Sequence, residues 1–196
     1  MCKTMKIILC EKEFETEAAV TAYDAIKEAG LMTRDVIAAE LDGETVALTA
    51  PITEGCRLAP LTFADKAGQR VFNHTAAHIL AQAVKRLFPD AKLTIGPSVE
   101  DGFYYDFDSD TTFTREALDK LEGEMKKIVK ENLKIERFTL PREEAIKLME
   151  EKGEPYKVLL INRIPEGEEI SFYRQGEFVD LCAGPHLFCN GCCQGV

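Results

Sequence analysis

The chain has three histidines, and all three fall into two short motifs. His74 and His78 are spaced i and i+4, so a helix would carry both imidazoles on one face about one turn apart. Cys182 and His186 form a Cys-x-x-x-His element near the other end, preceded by Asp180 and containing Gly184-Pro185. Two pairs of nitrogen and sulfur donors, distant in sequence, can close into one site with tetrahedral metal-ligand chemistry, for which zinc is the natural ion. A single histidine on an amphipathic helix is ordinarily a surface or core residue. The i,i+4 pair, joined to a Cys-x-x-x-His element in a chain with no other histidine, favours a shared functional site but does not name a reaction. Cys189, Cys192 and Cys193 also contain a Cys-x-x-Cys spacing. With no ordered segment expected after it, a metal knuckle there is the weaker reading.

The elements that must position these residues sort into two units, together an α+β chain. Residues 1–65 read as a small ubiquitin-like β-grasp domain. Strands are predicted at Lys6–Cys10 and Glu13–Glu15, then a helix capped by Thr16 or Thr21 and stopped by Gly30. Strands over Val36–Leu41 and Thr45–Leu48 are joined by the Asp42-Gly43 turn, and a last strand runs from Arg57 to Phe63. Lys66-Ala67-Gly68-Gln69 reads as the linker. In residues 66–196, Asn73 is predicted to cap a helix over His74–Phe88, which Pro89 stops. Strands at Leu93–Ile95 and Phe103–Phe107 precede a charged helix over Thr114–Glu131 with an apolar stripe. A strand at Ile135–Thr139 leads to a helix opening at Pro141 and ending at Glu151. Tyr156–Ile161, Ile170–Tyr173 and Phe178–Leu181 read as strands.

Composition narrows the function classes. No run of about 18 apolar residues exists, so a helical membrane span and a membrane partner are not expected. The short apolar stretch after Met5 lacks the form of a signal peptide. Seven irregularly spaced cysteines then point to free thiols in a reducing cytosol. A net charge of −10 argues against a dedicated nucleic-acid binder, and DNA is not expected as a partner. Any role on RNA must be local, at the end of a strand, or use binding surface elsewhere.

Asn73-His74-Thr75-Ala76-Ala77-His78, Leu93-Thr94-Ile95-Gly96-Pro97, Gly102-Phe103-Tyr104-Tyr105-Asp106, Tyr156-Lys157-Val158 and Asp180-Leu181-Cys182-Ala183-Gly184-Pro185-His186 together resemble the editing domain of threonyl-tRNA synthetases. The first unit resembles the TGS domain that precedes it in that family. The resemblance runs in order through almost the whole chain. Alanyl-tRNA synthetase editing domains share the His-x-x-x-His and Cys-x-x-x-His pattern, but Gly-Phe-Tyr-Tyr-Asp and the TGS-like unit favour threonine.

The resemblance implies post-transfer editing, the hydrolysis of the ester in mischarged seryl-tRNA(Thr). It implies His74 and Lys157 as the residues that hold and activate the water. Asp180 would pair with the seryl ammonium, His78, Cys182 and His186 would shape the pocket, and Gly96 and Tyr105 would line it. Implied partners are the serine-carrying acceptor end of tRNA(Thr) and the remainder of the synthetase, in the cytoplasm. No cofactor is implied for editing. Zinc on His74, His78, Cys182 and His186 is the alternative, as in the alanyl relatives. ATP would belong only to an aminoacylation domain outside this chain, so the chain is not expected to charge tRNA.

The last residues, Leu187 to Val196, depart from the family's continuation. Shifting the reading frame by one base over codons for Phe188 to Val196 yields Ser-Ala-Thr-Gly-Val-Val-Lys-Ala-Phe, close to that continuation. An insertion or deletion near the codons for Leu187 and Phe188 is therefore expected, which would leave the tail cysteines without function. Two other functions stay open at this point: a non-catalytic module binding RNA or protein, and a zinc-dependent editor of the alanyl type.

Overall fold

In the computed structural model, which describes residues 4–17, 19–99 and 102–193, the chain divides into two units. One comprises Met1–Phe72 with Pro185–Phe188, the other Asn73–Gly184 with Cys189–Val196. Both mix helix and sheet, as the α+β expectation has it.

In the first unit, β1 (Met5–Leu9) and β2 (Lys12–Thr16) form an antiparallel hairpin, and α1 (Ala22–Glu28) follows. Thr21 caps α1 through a reciprocal box with Asp24, each side chain accepting from the other residue's backbone N–H. A seven-residue helix is too short to stand alone in water. Ala22, Ala25 and Ile26, all fully buried, hold it against Ile7, Leu9 and Leu58. Each buried side chain of that larger size contributes about 1.5–3 kcal/mol. β3 (Val36–Leu41) and β4 (Glu44–Val46) turn at Asp42 and Gly43, both with φ above zero (52° and 89°), the hairpin geometry that Asp-Gly favours. With β5 (Arg57–Thr62) the five strands are ordered β2-β1-β5-β3-β4. The central β1–β5 pair is parallel and its neighbours antiparallel.

The predicted linker at Lys66–Gln69 is helical. α2 runs from Lys66 to Leu87, so Asn73 lies inside the helix and does not cap it. Gly68 suggested a flexible join, yet its role is close approach: a Cβ there would sit 2.0 Å from the Thr62 carbonyl oxygen.

In the second unit, β6 (Lys92–Leu93) pairs with β9 (Phe107–Asp108), and β7 (Ser98–Val99) with β8 (Gly102–Phe103). The single strand expected over 103–107 is thus split. α3 (Arg115–Glu131), capped by Thr114, ends at Asn132 in the left-handed conformation. A three-stranded antiparallel sheet follows, β10 (Ile135–Thr139), β11 (Ser171–Gln175) and β12 (Phe178–Leu181). Between β10 and β11 lie α4 (Arg142–Glu151) and α5 (Pro155–Arg163).

α5 corrects the strand predicted at Tyr156–Ile161. The β-branched and aromatic content suggested a strand, but Pro155 suits a first helical turn. At the other end the Arg142 guanidinium donates to the carbonyls of Ile161, Ile164 and Pro165. Lys157 and Ile161, one turn apart, are the buried positions of α5.

Candidate active site

β12 explains how two kinds of surroundings meet on one strand. Side chains alternate across it: Val179 and Leu181 join the apolar cluster around Phe172 and Met149. Phe178 lies in a second cluster with Ala77, Ala81, Leu93 and Tyr105, and Asp180 shares its face. From α5, Lys157 places Nζ 2.7 Å from Asp180 Oδ1, with both side chains almost wholly buried. Tyr105, between β8 and β9, donates its hydroxyl to Asp180 Oδ2 at 2.6 Å and accepts from Lys157 Nζ at 3.2 Å. Asp180 Oδ1 has the Lys157 ammonium as its ion-pair partner.

α2 supplies the histidines, their rings edge to face with centroids 5.4 Å apart. His74 Nε2 lies 3.2 Å from Cys182 Sγ, and the Gly184 N–H donates to the same sulfur at 3.2 Å. His78 Nε2 is 3.8 Å from Asp180 Oδ2, and its ring meets Phe178 edge to face. Gly96 has the role of a close approach: a Cβ there would lie 2.1 Å from Tyr105 Cδ2. His74, His78, Gly96, Tyr105, Lys157, Asp180 and Cys182 therefore come together in the second unit. His186 belongs to the segment Pro185–Phe188 that groups with the first unit, and its side chain is buried.

Sequence reasoning missed Tyr173. Register sets it directly opposite Asp180 across the β11–β12 ladder. Its hydroxyl fills the space a Cβ on Gly184 would take, 2.0 Å away, where Gly184 has φ +78°. The sequence carried no signal for this, since strand register, not spacing, pairs positions 173 and 180.

The charge states follow from burial and neighbours. Burial alone would raise the Asp180 carboxyl, but the Lys157 ammonium and the Tyr105 hydroxyl outweigh it and hold the group below its ordinary value. Burial and the Asp180 carboxylate keep the Tyr105 phenol protonated, well above its usual range. Burial pushes His78 down to about 3 against the pull of Asp180, so near neutrality it is an uncharged imidazole and its approach to Asp180 is not an ion pair. Burial pushes the Cys182 thiol up to about 12, so it is a thiol in the hydrogen bond with His74. One buried ammonium, one carboxylate, two imidazoles and a thiol make a site that can bind a polar group and move a proton. His74, His78 and Cys182 each offer a ligand atom, all within 4.8 Å of one another, and nitrogen and sulfur donors in that number suit zinc.

No protein-family model matches the chain. Whole-chain similarity decides the family. Residues of this chain are 61% identical over 160 residues to the threonine–tRNA ligase of Acetivibrio thermocellus, covering 82% of the chain. They are 52% identical over 186 residues to that of Clostridium kluyveri, and 56% identical over 181 to that of Clostridium tetani. The chain is a homologue of threonine–tRNA ligases. It corresponds to their N-terminal region and spans only 25% of the Acetivibrio ligase and 29% of the Clostridium kluyveri ligase. Among the described residues of this ligase homologue, no helix is long and apolar enough to cross a membrane.

A pH dependence follows for this threonine–tRNA ligase homologue. Unfolded, His78 takes up a proton near its ordinary value of 6.5, whereas folded it does so only at about 3. In that window the unfolded chain binds more protons, so stability is complete above 6.5 and is lost progressively as pH falls toward 3. Asp180, His74 and Lys157 are the charged or titratable groups acting on it. Thermal melts at pH 7, 6 and 5 (about one unit apart, enough to resolve a histidine limb) are expected to give falling midpoints. His78→Gln should flatten that limb while leaving the carboxylate-driven fall at lower pH; an equally steep limb in the variant would refute the assignment.

Proposed function

We propose that the second unit hydrolyses the ester of seryl-tRNA(Thr), the editing reaction, and that the first unit is a TGS-type β-grasp domain. The observation that carries the first proposal is the buried Lys157–Asp180–Tyr105 group beside His74, His78 and Cys182, in a homologue of threonine–tRNA ligases. The strand order β2-β1-β5-β3-β4 around a parallel central pair supports the second.

The need for such a site is physical. Serine is threonine without one methyl, and a missing methylene gives only about 1–3 kcal/mol of discrimination. A second site too tight for that methyl removes serine and spares threonine. In this reading a water held between His74 and Lys157 attacks the ester carbonyl. Its proton passes through His74 to the ribose oxygen as the C–O bond breaks, and the Lys157 ammonium stabilises the oxyanion. Asp180, the buried carboxylate already held by Lys157 and Tyr105, would pair with the seryl ammonium. Tyr105 fixes the carboxylate, and Gly96 gives the Tyr105 ring its place.

The proposed partners are the acceptor end of tRNA(Thr) and the rest of the synthetase, in the cytoplasm. A chain of net charge −10 gains little from phosphate contacts, so most tRNA affinity would come from that remainder. The donor set of His74, His78 and Cys182, with His186 as the fourth candidate from sequence, supports a second, zinc-dependent reading. Zinc would there act as a Lewis acid on water or carbonyl.

The test is release of serine and threonine from tRNA(Thr) by this chain, with and without a chelator. Loss of serine, with threonine spared by roughly 10-fold or more and no chelator effect, is the expected result. Chelator-sensitive turnover would move the assignment to the zinc reading. Binding of tRNA without release of either amino acid would overturn hydrolysis and leave a binding module.

A further inference from the structure

Against the sequence expectation that the tail cysteines carry no function, we propose that Cys189 and Cys192 form a reversible dithiol–disulfide pair, a redox site separate from the proposed hydrolytic one. Their sulfurs lie 3.0 Å apart, brought together by a single 3-10 turn over Asn190–Cys192. The turn is anchored to the junction of α3 and β10. Asn190 donates its N–H to the Leu133 carbonyl at 3.0 Å and accepts the Leu133 N–H on Oδ1 at 2.6 Å. Cys189 itself bridges Lys134, and the Cys193 N–H closes the turn on the Asn190 carbonyl at 2.9 Å. The two sulfurs are thus held near each other by an anchored turn before the bond forms, which lowers the entropy lost on closing it.

Reactivity and access point the same way. Cys192 is exposed and Cys189 half-buried, so a small oxidant can reach them. The contact with the Cys192 sulfur lowers Cys189 to about 6 against the opposing effect of burial, giving a thiolate fraction near neutral pH. Cys192 is shifted the other way by the same contact, the asymmetry of an attacking and a resolving thiol. By contrast Cys56 and Cys193 are buried and Cys182 mostly so, and burial raises all three thiols.

The oxidant is a low-molecular-weight disulfide of the glutathione class. The Cys189 thiolate attacks one of its sulfurs, the S–S bond breaks and one small thiolate leaves, giving a mixed disulfide on Cys189. Cys192, giving up its proton, attacks the Cys189 sulfur and expels the second small thiol. The protein loses two electrons and two protons, and one small disulfide becomes two thiols.

The experiment incubates the full chain in mixtures of oxidised and reduced glutathione, alkylates the remaining thiols and maps linkages by mass spectrometry. The wild-type chain and Cys193→Ser are expected to lose the mass of two hydrogens with the link at Cys189–Cys192, and added dithiothreitol should restore both thiols. Cys192→Ser should stop at the Cys189 glutathione adduct. A link from either residue to Cys193, or adducts without an internal disulfide in the wild-type chain, would overturn the proposal.

Discussion

Replacing Lys157 by methionine should abolish hydrolysis of seryl-tRNA and destabilise the second unit by about 3–5 kcal/mol. The two effects have different origins. Lys157 and Asp180 are both almost fully buried and 2.7 Å apart, so removing the ammonium leaves a carboxylate in a low-dielectric interior with only the Tyr105 hydroxyl as a close donor. The chemical loss comes from the missing positive charge at the proposed oxyanion. A double variant separates them. Lys157→Met with Asp180→Asn replaces the ion pair by neutral groups, and a buried ion pair exchanged for neutral groups costs little. Urea unfolding should therefore find the double variant more stable than Lys157→Met alone, while deacylation stays absent in both. If the double variant were as unstable as the sum of the two single ones, the residues would be acting independently and the pair would not be the organising contact.

Gly96→Ala is expected to slow hydrolysis about 100-fold, the scale of a displacement near 1 Å in a reacting group, and to destabilise by about 1–3 kcal/mol, the usual range for overpacking. The added Cβ would lie 2.1 Å from Tyr105 Cδ2 and 2.5 Å from Cε2. The ring cannot swing freely: it is buried, stacked on Phe107 with centroids 4.7 Å apart and tied to Asp180. Chemical melts of four proteins, the wild type, Gly96→Ala, Tyr105→Ala and both together, provide the check. Truncating Tyr105 removes the clash, so Gly96→Ala should cost almost nothing in that background. An undiminished cost there would mean that the backbone at 96, not the ring, is what glycine serves.

Part of the proposed site was legible from local periodicity, and the rest came only from the family resemblance. His74 and His78 needed only a helix, and that helix formed although its start lies well before Asn73. Phe178–Leu181 was read with its observed ends, since four alternating residues after a Gly turn leave little choice. Lys157, named from the family resemblance, was expected on a strand but lies on helix α5. The apolar run 158–161 looks the same as strand or buried helix, and the deciding contacts come from Arg142, distant in sequence. Gly68 shows a related blind spot, because a glycine needed for close approach to Thr62 has the same letter as one that loosens a linker. Tyr173 could not be found at all, for nothing in a sequence states which residue faces Asp180 across a ladder.

β12 touches two different worlds with alternate residues, Val179 and Leu181 on the apolar side, Phe178 and Asp180 on the other. Losing or gaining one residue inside this stretch would turn the strand over, delivering Asp180 to the oily cluster and Val179 to Lys157. Changes in length are harmless only where a turn can absorb them. The four positions from Phe178 to Leu181 must therefore keep their spacing if Asp180 is to face Lys157.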